Sequence, residues 1–389
     1  SLKTAFDGWC AVWFWPAEKL AEEVPTQSIV ARAAHLARYM DYPSKGGLDP
    51  TADSNPDLVR VVREIENLAQ KHGFFHWELE FPDVFSGSDP GFHAVIGNPP
   101  WEIQKPNSKE WFSNLDPLYR SYGKQVAMER QRELFKQDAT IETQWLVYNA
   151  DLKAASNWVR SAGDPFSATG GISLSRSREQ NQAIFRTWEA KQKTRQGHAP
   201  KPHPFVSQGS ADINTYKLFL EQGLSIVKSE GRIGFIVPSG IYTDRGAVDL
   251  RDRFLGKCRW EWLFGFENRD GIFNIHRSFK FCPIIVQKGG ETERVRTAFM
   301  RRSLSDWERS DLPLSANDRA AGRGLGVGET PGQSEPPRTL FITREQILRF
   351  SPKSRAFLEV RDPRDVEILE TMTANGIPLG NDSEEGWGV

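Results

Sequence analysis

Apolar residues along the chain follow two spacings, one typical of amphipathic helices and one typical of buried strands. The first helical pattern lies near the start and comprises Phe6, Trp9, Cys10, Trp13 and Phe14. A second helix is predicted over residues 28–40. A third is predicted from Ser54 to His72, because Pro56 suits a first helical turn and Gly73 suits a stop.

A strand pattern begins after this helical region. Residues 77–81 could form a short strand, and the apolar run Phe92–Gly97 predicts a buried strand that ends at a glycine. The Asn98-Pro99-Pro100-Trp101 segment follows at once and predicts a stiff turn, because proline fixes φ. The turn would therefore lie at the carboxyl end of a strand, where open α/β sheets bind ligands.

Residues 102–211 separate this strand from the next and are charged and mostly helical, with helices predicted over 124–159 and 175–196. Alternating helices and strands then resume. A helix over 212–229 should turn one set of residues inward, namely Tyr216, Phe219, Leu220, Leu224 and Val227. The later predicted elements are a buried parallel strand over 232–239, a helix over 245–255, a strand over 260–266 and a central strand over 279–287.

The composition changes after Arg302. Residues 303–338 are rich in Gly, Pro, Ser and charge, and they are predicted to form a linker or mobile loop. Two short helices are predicted beyond it, over 344–350 and 363–374. The predicted organisation is a helical region over 1–73, a core over 74–302 that contains the insertion at 102–211, the linker, and the start of a C-terminal helical region over 339–389.

The bulk composition indicates a globular protein with room for two or three domains. The chain has 389 residues, 38% of them hydrophobic, with 24 Phe and 13 Trp. The net charge of −1 gives no overall support for nucleic-acid binding. The three cysteines are isolated in sequence, and no apolar run approaches the length of a membrane span. We therefore predict a cytoplasmic protein with no bound metal and no membrane contact.

The Asn98 turn has the groups needed to act on an exocyclic amino group of a base. Such a nitrogen is a poor nucleophile, because its lone pair is delocalised into the ring. The Asn98 side-chain oxygen and the Pro99 carbonyl could accept both amino hydrogens and localise that lone pair towards an incoming methyl group. Trp101 could then stack on a base extruded from a duplex.

These residues carry a family resemblance. Asn98-Pro99-Pro100-Trp101 resembles the catalytic motif of the amino-group DNA methyltransferases. The run over 77–85, Trp-Glu-Leu-Glu-Phe-Pro-Asp-Val-Phe, resembles the large adenine-specific methylases of restriction-modification and phage-defence systems, of the type IIG, BREX-like and DISARM-like kinds. The segments at 212–290 resemble those that follow the catalytic turn in this family.

The resemblance implies an α/β fold with a partial Rossmann-like class I methyltransferase sheet. It implies S-adenosylmethionine as the cofactor, with Asp83 on its adenine amino group and Phe85 packed nearby, although Asp83 could equally be a turn residue after a proline. Family members place a second aromatic ring against the extruded base. Phe273 and Phe279 are the candidates, Phe273 being slightly preferred, and either could instead be strand-edge core.

The implied partner is double-stranded DNA, with other subunits of a defence or restriction system possible. The most basic segment is residues 174–203, which contains seven basic residues and two acidic ones. Its cations could contact DNA phosphates or form a solvated helix face. The candidates are Arg176, Arg178, Arg186, Lys191, Lys193 and Arg195.

The family's glycine-rich cofactor turn is not found ahead of Asn98, so the sequence is expected to be a piece of a longer methylase. Three functions remain open. The first is adenine-N6 methylation of DNA. The second is a DNA-binding or assembly module without catalysis, and the third is cytosine-N4 methylation.

Overall fold

The computed structural model describes residues 2–16, 56–161, 205–209, 212–305 and 339–376. Contacts divide the chain into two compact units. Unit 1 contains Ser1–Ser86 and Ile103–Val206, and unit 2 contains Gly87–Glu102 and Ser207–Val389. The helices predicted over 28–40 and 175–196, and most of the predicted linker, lie outside the described residues.

The described part of unit 1 is helical. Its helices are α1 (Leu2–Ala11), α2 (Pro56–His72), α3 (Trp77–Glu80), α4 (Pro82–Phe85), α5 (Ser108–Ser113), α6 (Lys124–Gln137) and α7 (Ala139–Ser161). Ala11 of α1 packs on a buried apolar stripe of α2, which includes Val62 and Ile65. Helix α2 ends as predicted, with Gly73 at φ +64°.

Two predictions for unit 1 are wrong in detail. Residues 77–81 form a helical turn rather than a strand, because the Phe81 N–H bonds to the Trp77 carbonyl and the two rings stack 5.8 Å apart. The helix predicted over 124–159 is interrupted at Asp138. The Asp138 carboxylate accepts from the Thr140 N–H at 2.8 Å, which caps the start of α7.

Unit 2 is built on a sheet. Its helices are α8 (Thr215–Ile226), α9 (Gly240–Thr243), α10 (Val248–Lys257), α11 (Arg344–Phe350) and α12 (Pro363–Asn375). Its strands are β1 (Phe92–Gly97), β2 (Val227–Pro238), β3 (Cys258–Glu267), β4 (Lys280–Lys288), β5 (Arg294–Arg301) and β6 (Leu340–Thr343). The α/β class predicted from the sequence is confirmed.

The sheet formed by the described residues has the order β1-β2-β4-β3-β5-β6. β1 pairs with β2 and β3 pairs with β5 in parallel, whereas β4 runs antiparallel between β2 and β3. The central position predicted for β4 is therefore confirmed. This arrangement brings the carboxyl ends of β1, β2 and β3 to one edge, together with the amino end of β4.

One face of the sheet carries the main core. Leu220 and Leu224 of α8 and Phe254 of α10 lie against Ile233 of β2 and Ile284 of β4. Phe219, which was predicted to face inward on α8, is 45% exposed, because the apolar stripe of the helix runs through Tyr216, Leu220 and Leu224 instead.

β1 differs from the sequence prediction in its burial. The strand has the predicted bounds, but it is an edge strand of the described sheet, and Ile96 is 85% exposed. An apolar run therefore predicted the strand correctly and its burial wrongly. Ile96 lies on the face opposite the main core, beside Gly234, which has no side chain to cover it.

Candidate active site

The Asn98 turn begins directly at the end of β1. Gly97 lies over the Phe235 ring, where an added Cβ would come within 3.1 Å of a ring carbon, so the strand end passes close to β2. Asn98 is exposed, and its side chain makes no hydrogen bond to the described residues. Pro99 is buried and Pro100 is exposed. The turn thus presents a side-chain amide with unused hydrogen-bonding capacity at the carboxyl edge of the sheet.

The turn is anchored on both sides. Parallel pairing with β2 holds the strand before it, up to the Gly97–Phe235 pair. After it, the Glu102 carbonyl accepts from the Thr215 N–H at 2.9 Å and from the Thr215 hydroxyl at 3.1 Å, at the start of α8. A fixed backbone of this kind favours hydrogen-bond acceptors that are already in position before a ligand arrives.

Trp101 is half-buried against the sheet. Its indole N–H donates to the Ile236 carbonyl at 3.3 Å, and its ring lies 6.2 Å from the rings of Phe273 and Phe281. Phe273 meets Trp101 edge-on, with an interplanar angle of 86°. The ring predicted to stack on a base is therefore oriented by its neighbours, and only part of its surface is accessible.

The two candidate aromatic residues of the β3–β4 connection differ in environment. Phe273 is half-buried and packs 4.8 Å from Phe281 as well as against Trp101. Phe279 is 51% exposed, and the ring recorded beside it is His276, at 6.5 Å. The sequence slightly favoured Phe273, whereas the exposed ring belongs to Phe279.

Asn268 is a buried residue beside the candidate site that was not predicted from the sequence. It follows β3 directly, is fully buried, and bonds through its side chain to Phe273 and Ile275 of the same connection. Two signals in the sequence could have found it: an asparagine at the end of a strand, and Gly271 three residues later in a left-handed turn at φ +76°.

Charged residues at this edge are gathered around two carboxylates. Glu267 lies within 2.9 Å of Arg269, 3.4 Å of Arg302 and 3.7 Å of Lys280. Lys280 also bonds to Glu359 at 2.6 Å, and the hydroxyl of Tyr242 donates to the same carboxylate at 2.8 Å. Burial, together with nearby anionic groups, raises the pKa of the Tyr242 hydroxyl, so this group remains a proton donor.

The predicted cofactor residues lie in unit 1. Asp83 is exposed on the short helix α4, and Phe85 is half-buried at its end. An exposed carboxylate and a neighbouring ring fit the adenine end of S-adenosylmethionine and supply nothing for its methionine end. Among the described residues ahead of β1, the regular elements are helices, so no strand-turn-helix cradle is present there. The six predicted DNA-backbone residues lie outside the described residues.

Part of the chain is similar to a known protein family. The model of the Eco57I restriction-modification methylase family matches residues 32–137 and 190–273. The match covers just under half of the chain and includes the Asn98 turn, β2, β3 and Phe273. The similarity to restriction-modification methylases predicted from residues 77–85 is therefore confirmed. Comparison with curated proteins gave no match.

Solved structures with detectable similarity include modification enzymes. A modification subunit assigned to a type I restriction enzyme of Vibrio vulnificus is 13% identical, with a TM-score of 0.27, and the alignment covers 44% of this chain and 35% of that one. The type IIG restriction endonuclease BpuSI is 19% identical, with a TM-score of 0.25, and the alignment covers 50% of this chain and 18% of that one. The EcoKI M protein is 14% identical, with a TM-score of 0.27, and the alignment covers 98% of this chain and 92% of that one. The chain thus spans about a third of the first structure and less than a fifth of the second.

The described residues contain no helix that is both long and apolar enough to cross a bilayer.

Proposed function

We propose that this protein transfers a methyl group from S-adenosylmethionine to the N6 amino group of adenine in DNA, as part of a restriction-modification or phage-defence system. The observation that carries the proposal is the exposed, unpaired amide of Asn98, held on an anchored turn at the carboxyl edge of the sheet. The match to a restriction-modification methylase family supports it.

The proposed chemistry assigns a role to each residue of the turn. The Asn98 side-chain oxygen and the Pro99 carbonyl accept the two amino hydrogens, which turns the nitrogen lone pair towards the methyl donor. The two prolines restrict the backbone on which these acceptors sit. S-adenosylmethionine would supply the electrophilic methyl group and leave as S-adenosylhomocysteine, and the methylated nitrogen would release one proton to solvent. Asp83 and Phe85 are the residues proposed to hold the adenine end of the cofactor.

The extruded base needs flat surfaces in place of its former stacking neighbours. Trp101 and Phe279 are proposed to supply them, because Trp101 follows the turn and Phe279 is the more exposed ring of the β3–β4 connection. Phe273 is proposed to support Trp101 from the edge, since its own ring is packed against Trp101 and Phe281.

The first experiment replaces the amide of the turn. Asn98→Ala in the full protein should lower the rate of methyl transfer to unmethylated plasmid DNA by roughly 10²- to 10³-fold, the usual effect of removing one preorganised hydrogen-bonding group that stabilises a transition state. Mass analysis of the digested nucleosides should show N6-methyl-2′-deoxyadenosine as the product. Asn375→Ala, at the exposed end of α12, is the matched control and should keep full activity. Undiminished methylation by Asn98→Ala would rule the proposal out.

Cytosine-N4 methylation is the nearest alternative, because the same two acceptors could orient the amino group of cytosine. The nucleoside analysis separates the two products directly. N4-methylcytosine as the sole methylated product would replace adenine as the substrate and leave the role of Asn98 intact.

A DNA-binding or assembly module without catalysis is the second alternative. It is favoured by the absence of a strand-turn-helix cradle among the described residues ahead of β1. Calorimetric titration with S-adenosylmethionine discriminates between the two classes. A measurable binding enthalpy that is lost in Asp83→Ala supports the enzyme, whereas DNA binding without any cofactor binding supports the module.

A further inference from the structure

The connection between β3 and β4 is longer than its geometry requires. The two strands are antiparallel neighbours, which a loop of about two to five residues can join. Here residues 268–279 lie between them. Long loops that are packed by their own side chains are frequently functional. This loop lies at the sheet edge that carries the Asn98 turn.

Asn268 is bonded to the backbone of this loop by its buried side chain and by its own backbone N–H. Its side-chain N–H groups donate to the Phe273 carbonyl at 3.0 Å and the Ile275 carbonyl at 3.1 Å, and its side-chain oxygen accepts from the Phe273 N–H at 2.9 Å. Its backbone N–H donates to the Phe279 carbonyl at 3.0 Å. One residue therefore holds the loop both where it turns and where it rejoins β4.

The braced loop fixes the positions of two rings. Phe273, bonded to Asn268 through both its N–H and its carbonyl, points its ring at Trp101 and Phe281. The Phe279 carbonyl accepts from the backbone N–H of Asn268, and half of the Phe279 side chain is exposed. Asn268 itself has no exposed surface, so it cannot touch a base.

We infer that Asn268 is a positioning residue for base binding: its buried side-chain amide holds the β3–β4 loop at Phe273 and Ile275, and the loop held in this way places the Phe279 ring against a base bound at the Asn98 turn. The inference rests on the methylation reaction proposed above. A misplacement of about 1 Å at a substrate-positioning group can cost about 10²-fold in rate, so a buried amide can affect catalysis without touching the substrate.

The test is Asn268→Asp in the full protein. The substitution keeps the shape and the acceptor, but an ionised carboxylate cannot donate to the Phe273 and Ile275 carbonyls. We expect kcat for methyl transfer to unmethylated plasmid DNA to fall roughly 10- to 100-fold. KM for S-adenosylmethionine should stay within about twofold, because the residues proposed to hold the cofactor, Asp83 and Phe85, lie on α4 and not on the β3–β4 loop.

Asn274→Asp is the matched control. Asn274 lies on the same loop, is exposed, and makes no side-chain hydrogen bond to the described residues, so the variant adds the same charge without removing a brace. Its kcat should be unchanged. A loss equal to that of Asn268→Asp would show that charge on the loop, rather than the brace, is responsible, and would overturn the inference.

Variants of Phe279 test the route through which Asn268 acts, and the single Phe279 variants do not depend on the folding of Asn268→Asp. Phe279→Leu removes an exposed ring and should lower kcat, and Phe279→Tyr, which keeps the ring, should restore it. In the double variant the losses from Asn268→Asp and Phe279→Leu should not multiply, because both act through one ring. Multiplying losses, or a fully active Phe279→Leu, would overturn the inference.

These outcomes separate the inference from the reaction on which it rests. Methylation by the unmodified protein together with full activity of Asn268→Asp would overturn the role of Asn268 and leave the proposed reaction in place. Absence of any methylated nucleoside from the unmodified protein would overturn the reaction itself, and the role of Asn268 with it.

Discussion

Two asparagines at one edge of the sheet have opposite environments. Asn98 is exposed and makes no side-chain bond to the described residues, whereas Asn268 is fully buried and uses both of its amide hydrogens. An exposed side-chain amide whose donors and acceptor are free can bind a ligand. A buried amide whose donors and acceptor are already bonded within the protein can only stabilise the surrounding structure. The same residue type therefore has two proposed roles, which burial distinguishes.

Asp7 in unit 1 carries a prediction about pH. Burial acts to raise the pKa of this carboxyl, but hydrogen bonds from His76 and Lys3, each 2.8 Å long, outweigh it and lower the pKa below its ordinary value of 3.8. A carboxyl whose folded pKa is depressed contributes stability above its unfolded pKa, and that stability is lost as the pH falls through the folded pKa. We expect the Asp7 contribution to be complete at pH 7 and to begin to fall once the pH drops below about 4, the ordinary pKa of an aspartate.

The measurement is the midpoint of thermal unfolding between pH 7 and pH 3, followed by circular dichroism. Asp7→Asn should lower the midpoint at pH 7 and approach the unmodified protein at pH 3. Asp89→Asn, at a residue whose side chain is 54% exposed, is the control and should change little at either pH. An equal deficit of Asp7→Asn at pH 7 and pH 3 would contradict the prediction.

At the scale of elements, the sequence predicted those with a strong local signal. The stop of α2 at Gly73, the bounds of β1, the central place of β4 and the range of α11 all agree with the structure. β5 and β6 were missed, because β5 carries Arg294, Arg296 and Arg301 and β6 has only four residues. β5 and β6 are stabilised by their pairing in the sheet although each has a weak local strand pattern, and such pairing cannot be seen in a single sequence.

In the candidate site, too, the residues with a local sequence signal could be predicted and those that depend on tertiary contacts could not. A motif located Asn98 to Trp101, because its chemistry is carried by consecutive residues. The choice between Phe273 and Phe279 depends on which ring packs against Trp101, and the role of Asn268 depends on bonds across its loop. Contacts of this kind are tertiary and could not be predicted from spacing.

The start of β1 carries a second stability prediction. Gly91 has φ +121°, and a Cβ added there would lie 2.6 Å from the Lys228 nitrogen and 2.7 Å from the Ile226 oxygen. Both the backbone conformation and the space exclude a side chain, so Gly91→Ala should destabilise the protein by at least about 2 kcal/mol.

Gly87→Ala is the control, because Gly87 has open space around its Cβ position and no positive φ. Denaturant unfolding of the two variants measures the difference. Gly87→Ala should lie within about 0.5 kcal/mol of the unmodified protein. Similar stabilities for Gly91→Ala and Gly87→Ala would show that the close approach between residue 91 and β2 is not needed.

At the scale of the whole molecule, the chain leaves unit 2 and returns to it. Unit 2 contains Gly87–Glu102, which carries β1 and the Asn98 turn, and then resumes at Ser207. The intervening helices α5, α6 and α7 belong to unit 1 and build their own aromatic core around Phe112, Tyr119 and Trp145. Among the described residues of the predicted insertion, these three helices pack on one another through that aromatic core, and the bounds 102–211 stay a prediction.

The pairing of β1 with β2 has a consequence for the order in which the chain folds. The partner of Gly97 is Phe235, well over 100 residues later, whereas β2, β3, β4 and β5 follow one another within Val227–Arg301. During synthesis β1 emerges well before β2, the strand with which it pairs, and contacts between distant segments form slowly. β1, with Ile96 exposed, is thus expected to dock late onto a preassembled sheet, so the Asn98 turn reaches its working geometry only after the rest of that sheet has formed.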